Sequence, residues 1–298
     1  MKNKIIVIGS ANADFVIHSD TMPKLGETLV GNNFQINVGG KGLNQAVAIA
    51  KLGGNVSFSG AVGKDNNGEY LLNTLKQYGV EFKGIQSEAK PTGIAMITVV
   101  NGDNFIILNA GANNALTHEV IRHKKELIAE SDFCVLQLEI PLETVLEICR
   151  IAKQSGTKTV LNPAPFKKLP KTAYPLIDYL IPNEHEAGLL TGICINSEET
   201  AKKAVQQIKN QGVKNVIITL GEKGCVYNDG DDVLFYPAEN VTAVDTTSAG
   251  DCFIGALVTR LSQNKCISES ITFATKAAAI AVMHEGAAKS IPFANEVE

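Results

Sequence analysis

Short runs of β-branched residues alternate along this chain with longer segments whose apolar residues recur at helical spacing. The first run is residues 5–9, Ile-Ile-Val-Ile-Gly, and a helical pattern follows at 42–51. Such alternation is typical of a mainly parallel β-sheet with helices on both faces. We therefore predict an α/β fold of three layers with a mostly parallel central sheet. The other predicted strands are 56–62, 133–138, 159–161 and 216–220, and the other predicted helices are 67–78, 142–155, 197–211, 249–263 and 267–283.

Two stretches, residues 14–37 and 92–109, interrupt this rhythm with strand-like alternation, turn residues and no intervening helix. They predict a small antiparallel β-sheet that projects from the main body as a lid, able to cover a site or to pair with a second copy. The sequence contains no internal repeat, low-complexity tract or long linker. We therefore predict one α/β domain over residues 1–298, with the lid segments 14–37 and 92–109 inserted in it.

The composition excludes several classes of protein. The formal net charge is −4 and there is no block dense in Lys and Arg, which argues against a nucleic-acid-binding protein. The six cysteines form no C-x-x-C pair, which favours reduced thiols over a disulfide framework or a zinc site. No segment approaches the roughly 20 apolar residues of a membrane span, and the N-terminus leads directly into a strand pattern. We predict a cytoplasmic protein that does not bind membranes.

The run Asp-Thr-Thr-Ser-Ala-Gly-Asp at 245–251 is a loop of small residues that opens into the apolar helical pattern 252–258. A loop of this kind aims several free N–H groups at one spot, and the helix dipole makes that spot attractive to anions. The carboxylate of Asp251 lies at its mouth. This combination suits a site that holds a phosphoryl group while a neighbouring hydroxyl loses its proton.

A second run, Gly-Gly-Lys-Gly-Leu-Asn-Gln-Ala at 39–46, precedes a helix with an apolar face. Glycines let a backbone approach a ligand closely, and Lys41 and Asn44 carry donors for hydroxyl oxygens. The plainer interpretation is a tight turn before a packed helix, and the run taken alone favours it.

Three polar residues follow predicted strands. Asn12 and Asp14 stand two residues apart, so in an extended segment both point the same way and can chelate neighbouring hydroxyls; an Asx turn explains them equally well. Glu139 is either a further hydroxyl ligand or a helix-start residue ahead of Pro141.

Two later segments suit a nucleotide site. Asn183 and Glu186 share a helix face and can organise a hydrated Mg²⁺, and they also fit a capping box. The segment Thr-Leu-Gly-Glu-Lys-Gly at 219–224 reads as a turn at the end of a strand.

Taken together, these runs resemble those of the PfkB-type carbohydrate kinases. The likeness extends from Ile5 to about Pro292 and includes Leu-Asn-Pro-Ala-Pro at 161–165 and Pro-Asn-Glu-His-Glu-Ala at 182–187. Within the family, the sugar-contacting positions are most similar to those of members that act on D-ribose. The positions that carry this finer likeness are Asn12, Asp14, Lys41, Asn44, Glu139 and the run Gly111-Ala112-Asn113.

The resemblance implies ATP-dependent phosphorylation of D-ribose at its 5-hydroxyl. It implies that Asp251 is the general base and that the N–H groups of Ala249, Gly250 and Asp251 form an anion hole. The implied sugar-binding residues are Asn12, Asp14, Gly40, Lys41, Asn44, Glu139 and Asp251. The implied nucleotide-binding residues are Asn183, Glu186, Thr219, Gly221, Gly224, Gly250 and Thr275, of which Asn183 and Glu186 would order Mg²⁺ and phosphate.

The resemblance also implies an activating K⁺ beside the anion hole and a homodimer formed through the β lid. The matching cation positions are Asp245, Thr247, Ala281, His284, Gly286 and Ser290, which act largely through backbone carbonyls. The chain departs from the usual family pattern at Leu43, Ser248, Cys252 and Thr275. The last of these bears on the preference for the nucleotide base.

Three alternatives stay open at this point. One is a related kinase that acts on deoxyribose, fructose or a nucleoside, and another is a non-catalytic sugar sensor that kept the fold. The third, a dehydrogenase on a doubly wound sheet, is disfavoured because Gln45 stands where G-x-G-x-x-G has its third glycine.

Overall fold

In the computed structural model, which describes residues 3–101, 103–230 and 232–298, nine strands form a central sheet. The described strands are β1 Lys4–Ile8, β2 Asn12–Ser19, β3 Asn32–Gly39, β4 Asn55–Ser59, β5 Ala61–Gly63, β6 Glu81–Phe82, β7 Ile85–Ser87, β8 Gly93–Val100, β9 Asp103–Asn109, β10 Phe133–Leu136, β11 Lys158–Leu161, β12 Tyr179–Leu180, β13 Asn215–Thr219, β14 Gly224–Asp229 and β15 Asp232–Pro237. The order in the central sheet is β15-β14-β13-β12-β11-β10-β1-β4-β6. Neighbours from β13 to β6 run parallel, and only the edge strands β14 and β15 are antiparallel. The mostly parallel sheet is confirmed.

Helices cover both faces of this sheet. They are α1 Lys41–Lys51, α2 Asn66–Gln77, α3 His118–Arg122, α4 Lys125–Ala129, α5 Leu142–Ser155, α6 Glu184–Thr191, α7 Glu198–Lys209, α8 Ala249–Ser262, α9 Ile267–Ala281, α10 Ala287–Ser290 and α11 Ala294–Val297. One buried cluster packs α1, α8 and α9 on the sheet, and a second packs α5 and α7. Because both faces are covered, a central strand such as β1 is a continuous buried run and not an alternating one.

The predicted strand 56–62 is wrong in one respect, because the structure divides it at Gly60 into β4 and β5. A Cβ on Gly60 would lie 2.4 Å from the Phe58 ring, so this bend needs glycine. After the bend, β5 leaves the central sheet and pairs with β7. The other predicted elements are present with ends that differ by a few residues; Ser197, for example, is the N-cap of α7 and not its first residue.

The predicted lid is a separate four-stranded sheet in the order β3-β2-β8-β9. Its two hairpins, β2–β3 and β8–β9, are antiparallel, as predicted, and β2 and β8 pair parallel where the hairpins meet. In β2, Asp14 and Phe15 point to opposite faces, as neighbouring strand residues must. The assignment of the whole chain to one domain stays a prediction. None of the helices in the described part of the chain is long and apolar enough to span a membrane.

Candidate active site

Polar side chains that follow several strands meet at the carboxyl edge of the central sheet, where sites in such sheets form. β2 begins at this edge with Asn12 and carries Asp14 on the same side. The charges of Glu139 and Asp251 raise the pKa of both Asp14 and Lys41. Lys41 and Glu186 act on each other's pKa, so these five groups lie around one cleft.

Close backbone packing positions the start of α1 at this edge. Gly40 has a φ of 85°, and a Cβ there would lie 2.8 Å from the Cα of Ala11. A Cβ on Gly42 would lie 2.7 Å from the carbonyl carbon of Gly9. The glycines therefore let α1 begin directly against the turn after β1. The run at 39–46 is the predicted tight turn before a packed helix, and it also brings Lys41 to the cleft.

Glu139 bridges this turn and α1. Its Oε2 accepts a hydrogen bond from Ser10 Oγ at 2.5 Å and another from the Lys41 N–H at 3.1 Å. The helix α5 begins only at Leu142, after Pro141. The interpretation of Glu139 as a helix-start residue is therefore wrong, and its carboxylate lies at the N-terminus of α1, where the helix dipole favours negative charge.

Asp251 lies in the first turn of α8 and is 5% exposed. Its Oδ1 accepts a hydrogen bond from Gln45 Nε2 at 2.8 Å, and its Oδ2 accepts one from Asn44 Nδ2 at 3.3 Å. Asn44 Nδ2 also donates to Ser248 Oγ at 3.1 Å. Two consecutive residues of α1 thus hold the carboxylate at the N-terminus of α8.

The residues of the predicted anion hole, Ala249, Gly250 and Asp251, lie in the first turn of α8. Ser248 has a φ of 61°, a left-handed conformation that turns the chain into the helix. The first N–H to close a full helical turn is that of Cys252, which donates to Ser248 O at 2.8 Å. The N–H groups of Gly250 and Asp251 precede it and belong to those that a helix start leaves without a helical partner. The N–H of Ala249 donates to Thr246 O at 3.3 Å, so this third predicted donor is engaged in a long bond.

Asp14 is partly buried on the cleft side of the lid. The pKa of its carboxyl is raised to about 7, chiefly because burial disfavours the charged form and further because Glu139 and Asp251 repel a second negative charge. The carboxyl lies against Gly39, where a Cβ would be 2.1 Å from Asp14 Oδ2. A polar ligand that donates to this carboxyl would favour its ionised form.

Lys41 and Glu186 complete the charged lining. The pKa of Lys41 is raised, first by the Asp251 carboxylate and then by Glu139 and Glu186, against the opposing effect of burial. The pKa of Glu186 is raised because the side chain is buried, although the Asn183 N–H and Lys41 oppose this. The cleft therefore keeps one firmly protonated ammonium among four carboxyl groups.

Five of the seven predicted nucleotide residues, all except Gly250 and Thr275, lie in two contacting segments. Asn183 and Glu186 form the predicted capping box of α6, with bonds of 2.9 and 2.8 Å. Asn183 also pairs with Thr219 at the end of β13, whose N–H donates to Pro182 O at 3.0 Å. The start of α6 and the end of β13 are thus side by side.

The predicted turn after β13 depends on two glycines with positive φ. Gly221 has a φ of 56° and Gly224 one of 110°, and a Cβ on Gly224 would lie 2.0 Å from Tyr236 O. Thr275 lies on α9 and contacts the thiol of Cys225, the residue after Gly224. The structure therefore brings Thr275 beside this turn.

Three of the predicted cation residues, Asp245, Thr247 and Gly286, lie on two loops that Asp245 holds together. Its Oδ1 accepts the Thr247 N–H at 2.8 Å and its Oδ2 accepts the Gly286 N–H at 2.9 Å. The Asp245 N–H in turn donates to Val282 O at 3.1 Å. Burial raises the pKa of Asp245, but the bonds from Thr247 and Gly286 outweigh it and lower the pKa. The carboxylate is thus occupied with joining the two loops.

The remaining cation positions flank these loops. Ala281 is buried at the end of α9, His284 is exposed, and the buried Ser290 donates its hydroxyl to Ala287 O at 2.9 Å. Within residues 3–101, 103–230 and 232–298 there is no group of three or more His, Cys, Asp or Glu arranged to hold a metal ion.

Comparison with known proteins identifies the family of this chain. The model of the pfkB family of carbohydrate kinases matches residues 2–294. The chain belongs to this family.

Individual members of the pfkB family are similar over nearly the whole chain. A ribokinase from Haemophilus influenzae is 42% identical, over 99% of this chain and 97% of its own length. A deoxyribokinase from Salmonella typhimurium is 35% identical, over 97% of this chain and 95% of its own. The structure of Arabidopsis thaliana ribokinase complexed with ribose and ATP has a TM-score of 0.93 at 32% identity, covering 98% of this chain and 96% of that one.

Five polar residues of this pfkB member lie at the site without having been assigned a site role from the sequence, and three of them contact predicted site residues. Asn113 donates to Asn12 Oδ1 at 2.8 Å and accepts the Ala11 N–H at 2.9 Å. The sequence pointed to Asn113 only through its place in the run at 111–113. Of the others, Ser10 donates to Glu139 and Gln45 donates to Asp251, while Gln137 and Asn162 are bonded to Gln45.

Proposed function

We propose that this protein phosphorylates D-ribose at its 5-hydroxyl with ATP, and that Asp251 is the general base. The observation that carries the proposal is the position of the Asp251 carboxylate, which lies at the helix start that supplies free N–H groups, beside Lys41. A base, an anion-binding helix end and a cation in one cleft are the elements of phosphoryl transfer to an alcohol.

Polar groups for a small hydroxylated sugar surround this position. Asn12, Asp14, Lys41, Asn44 and Glu139 supply both donors and acceptors. Asn44 Oδ1 is buried and has no hydrogen-bond partner among the described residues. An unsatisfied buried acceptor costs about 1–3 kcal/mol, so a sugar hydroxyl that donates to it would bind favourably. The ribokinase and deoxyribokinase relatives support a pentose as this sugar.

In the proposed reaction, the O–H bond of the sugar breaks and its proton passes to Asp251. The hydroxyl oxygen bonds to the terminal phosphorus of ATP, and the bond to ADP breaks with its electron pair leaving on ADP. Aspartate is a weak base at neutral pH, which suffices because the transition state is loose and demands little of the nucleophile's proton. The Gly250 and Asp251 N–H groups and the Lys41 ammonium would stabilise the charge of the transferring group.

The ATP phosphates would lie between this helix start and α6. Asn183, Glu186, Thr219, Gly221, Gly224, Gly250 and Thr275 are the proposed nucleotide-binding residues. Mg²⁺ keeps several waters and takes few protein carboxylates, and the buried Glu186 beside Asn183 fits such a partner. The ion would neutralise phosphate charge.

A K⁺ site is part of the same proposal. Asp245 and Gly286 join two loops that also supply backbone carbonyls, the ligands that replace water around K⁺ in proteins. The proposed ligands are Asp245, Thr247, Ala281, His284, Gly286 and Ser290. A cation there would fix the loop that leads into the anion hole.

We further propose a homodimer through the lid. The face of the lid opposite Asp14 carries an apolar row across all four strands, formed by Ile36, Phe15, Met96 and Ile107 in register. Ile107 is 75% exposed and Met96 50%. An exposed apolar patch of this kind marks an interaction surface, and the exchange of like faces between two copies would cover it. A cytoplasmic location, where ATP is available, completes the proposal.

The test is a panel of acceptors assayed for ATP consumption at constant ionic strength, with K⁺ or with a larger organic cation. The panel contains D-ribose, 2-deoxy-D-ribose, D-fructose and a nucleoside. We expect D-ribose to give the highest kcat/KM and K⁺ to raise it.

Other results would redirect the proposal. Preference for 2-deoxy-D-ribose would assign the alternative represented by the deoxyribokinase relative. Binding of ribose without ATP consumption would assign a sensor and remove the catalytic role of Asp251.

A further inference from the structure

A buried cluster of amide side chains lies directly behind the Asp251 carboxylate, on the side away from the cleft. Gln45 and Gln137 have no exposed surface, and Asn162 is buried. Gln45 belongs to α1, while Gln137 and Asn162 follow the central strands β10 and β11. The cluster therefore connects the rigid carboxyl ends of two sheet strands to the proposed base.

Both the nitrogen and the oxygen of the Gln45 side-chain amide make hydrogen bonds. Its Nε2 donates to Asp251 Oδ1 at 2.8 Å and to Asn162 Oδ1 at 3.4 Å. Its Oε1 accepts from Gln137 Nε2 at 2.5 Å. Asn162 is oriented in turn, because its Nδ2 donates to Ile181 O at 3.1 Å. A backbone carbonyl after β12 thus fixes the direction of the donors through Asn162.

The observed orientation of the amides leaves one acceptor of the cluster without a hydrogen bond. Gln137 Oε1 is buried and has no partner among the described residues. Reversing the Gln45 amide would turn its oxygen toward Asp251 Oδ1, where two acceptors would repel. The bonds to Asp251 and Gln137 therefore fix the orientation of the Gln45 amide.

From this geometry we infer that Gln45 is a positioning residue, which holds Asp251 Oδ1 as a permanent acceptor so that the sugar proton is received by Oδ2. The inference rests on the proposed role of Asp251. A proton on Oδ1 would face the Gln45 N–H, donor against donor, whereas Oδ2 has only the longer 3.3 Å bond from Asn44. In the transfer, the sugar O–H bond breaks and the new O–H bond forms on Oδ2, while the sugar oxygen bonds to phosphorus and ADP leaves with the electron pair.

Gln45→Met tests the donor, because methionine has a similar unbranched shape and no amide. Groups that orient metal ligands are worth about 10- to 100-fold in activity, and by analogy we expect kcat to fall by a similar factor. The KM for ATP should stay within about threefold, since Gln45 contacts no proposed nucleotide residue. Thr157→Val is the control, because it removes a buried hydroxyl bonded to two carbonyls away from the cleft and should leave kcat unchanged.

Gln45→Glu tests the polarity of the bond. It keeps the shape and the acceptor for Gln137 but places a second carboxyl against Asp251 Oδ1, so the pair will hold a proton to higher pH. We expect the acid limb of the kcat–pH profile to move up by about one pH unit or more. The titratable groups close enough for Asp251 to affect their pKa are Lys41, Asp14, Glu186 and Cys252, and these are the same in the wild type and the variant.

These outcomes separate the inference from the proposed function. If Gln45→Met keeps kcat within threefold and Gln45→Glu leaves the acid limb in place, Gln45 is not a positioning residue, even when Asp251→Asn is inactive. If Asp251→Asn itself keeps normal turnover, the proposed function fails first. Should Gln45→Met not fold, the pH profile of the better-matched Gln45→Glu decides alone.

Discussion

The neighbourhood of Asp251 and the outer face of the lid differ in which side chains are buried and which are exposed to solvent. Around Asp251, polar groups are buried and bonded to one another, with Gln45, Asn162 and Gln137 linked in series. On the outer face of the lid, apolar side chains such as Ile107 stand exposed without a covering element in the described chain. Polar groups inside and apolar groups outside both reverse the usual pattern of a folded protein.

The contrast separates two kinds of functional surface. Buried polar groups fixed by sheet strands suit chemistry, which requires a carboxylate held in one orientation before substrate arrives. Exposed apolar groups on a projecting sheet suit association with a partner. The strand β2 belongs to both surfaces, because Asp14 faces the cleft and Phe15 faces outward.

Asp251→Asn tests the buried polar groups of the cleft, and we expect it to have the largest effect. Removing a general base lowers turnover by about 10²–10⁴-fold, while ATP and ribose should still bind. The measurements are steady-state turnover and calorimetric binding of each ligand. Asp178→Asn is the matched control, since it alters a buried carboxylate bonded to Thr159 and Lys214 far along the sheet. Equal losses in both variants would show that any buried carboxylate matters and would remove the specific role of Asp251.

Ile107→Glu tests the exposed apolar face of the lid, and we expect it to weaken the proposed dimer. Burying an unpaired carboxylate in an apolar interface costs several kcal/mol, so the dimer dissociation constant should rise by at least about 100-fold. Analytical ultracentrifugation across a concentration series measures this. Leu234→Glu is the control, because Leu234 on β15 is 40% exposed on a different sheet and should not change association. A wild type that is monomeric at all concentrations would contradict the interface.

Lys41→Ala tests whether Lys41 contacts the sugar and not the nucleotide. Because its charge lies beside Asp251, Glu139 and Glu186, we expect the sugar KM to rise by about 10- to 100-fold through lost charged hydrogen bonds. The ATP KM should change far less. Lys124→Ala, which removes an ammonium bonded to Lys83 O, should change neither. Equal increases in both KM values would count against a sugar contact.

Asp14→Asn should have the smallest effect, which is on stability. Asp14 lies on β2, the strand that contributes to both surfaces. Its pKa of about 7 in the folded protein lies above the 3.8 of the unfolded chain. Between these values the unfolded chain loses a proton that the folded protein retains, so the unfolding free energy falls as pH rises from about 4 to 7. Allowing for partial exposure, Asp14→Asn should therefore raise the unfolding free energy at pH 8 by about 1–2 kcal/mol.

Denaturant unfolding at pH 4 and pH 8 measures this, with Asp65→Asn as a control of opposite sign. Burial raises the pKa of Asp65, but bonds from Thr92 and Gly68 outweigh it and lower the pKa. Its ionised form thus stabilises the fold above the unfolded pKa, and Asp65→Asn should lower stability at pH 8. The same sign in both variants would show that the burial of Asp14 is not its main influence.

The sequence predicts a feature when the residues that shape its backbone and the residues that carry its functional side chains lie in one short run. The runs at 39–46 and 245–251 each contain the glycines or small residues that shape the turn together with the side chains that face the cleft. Alternation likewise predicts the strands of the lid. It does not show that β2 and β8 are parallel neighbours, because that pairing joins residues about 80 apart in the chain.

The amide cluster could not be predicted for the same reason. Gln45, Gln137 and Asn162 come from separate elements, and each taken alone is an ordinary polar residue. Only the packing of α1 on the ends of β10 and β11 shows that they bond in series. The bend at Gly60 was missed because a continuous apolar run does not reveal where its strand leaves one sheet for another.

A crystal structure of the protein with D-ribose and a non-hydrolysable ATP analogue tests the central claim most directly. The account predicts that Asp251 Oδ2 lies about 2.6–3.2 Å from the 5-hydroxyl oxygen, with the Gly250 and Asp251 N–H groups directed at the terminal phosphate. An Asp251 side chain turned away from the sugar, or a phosphate bound away from the start of α8, would contradict it.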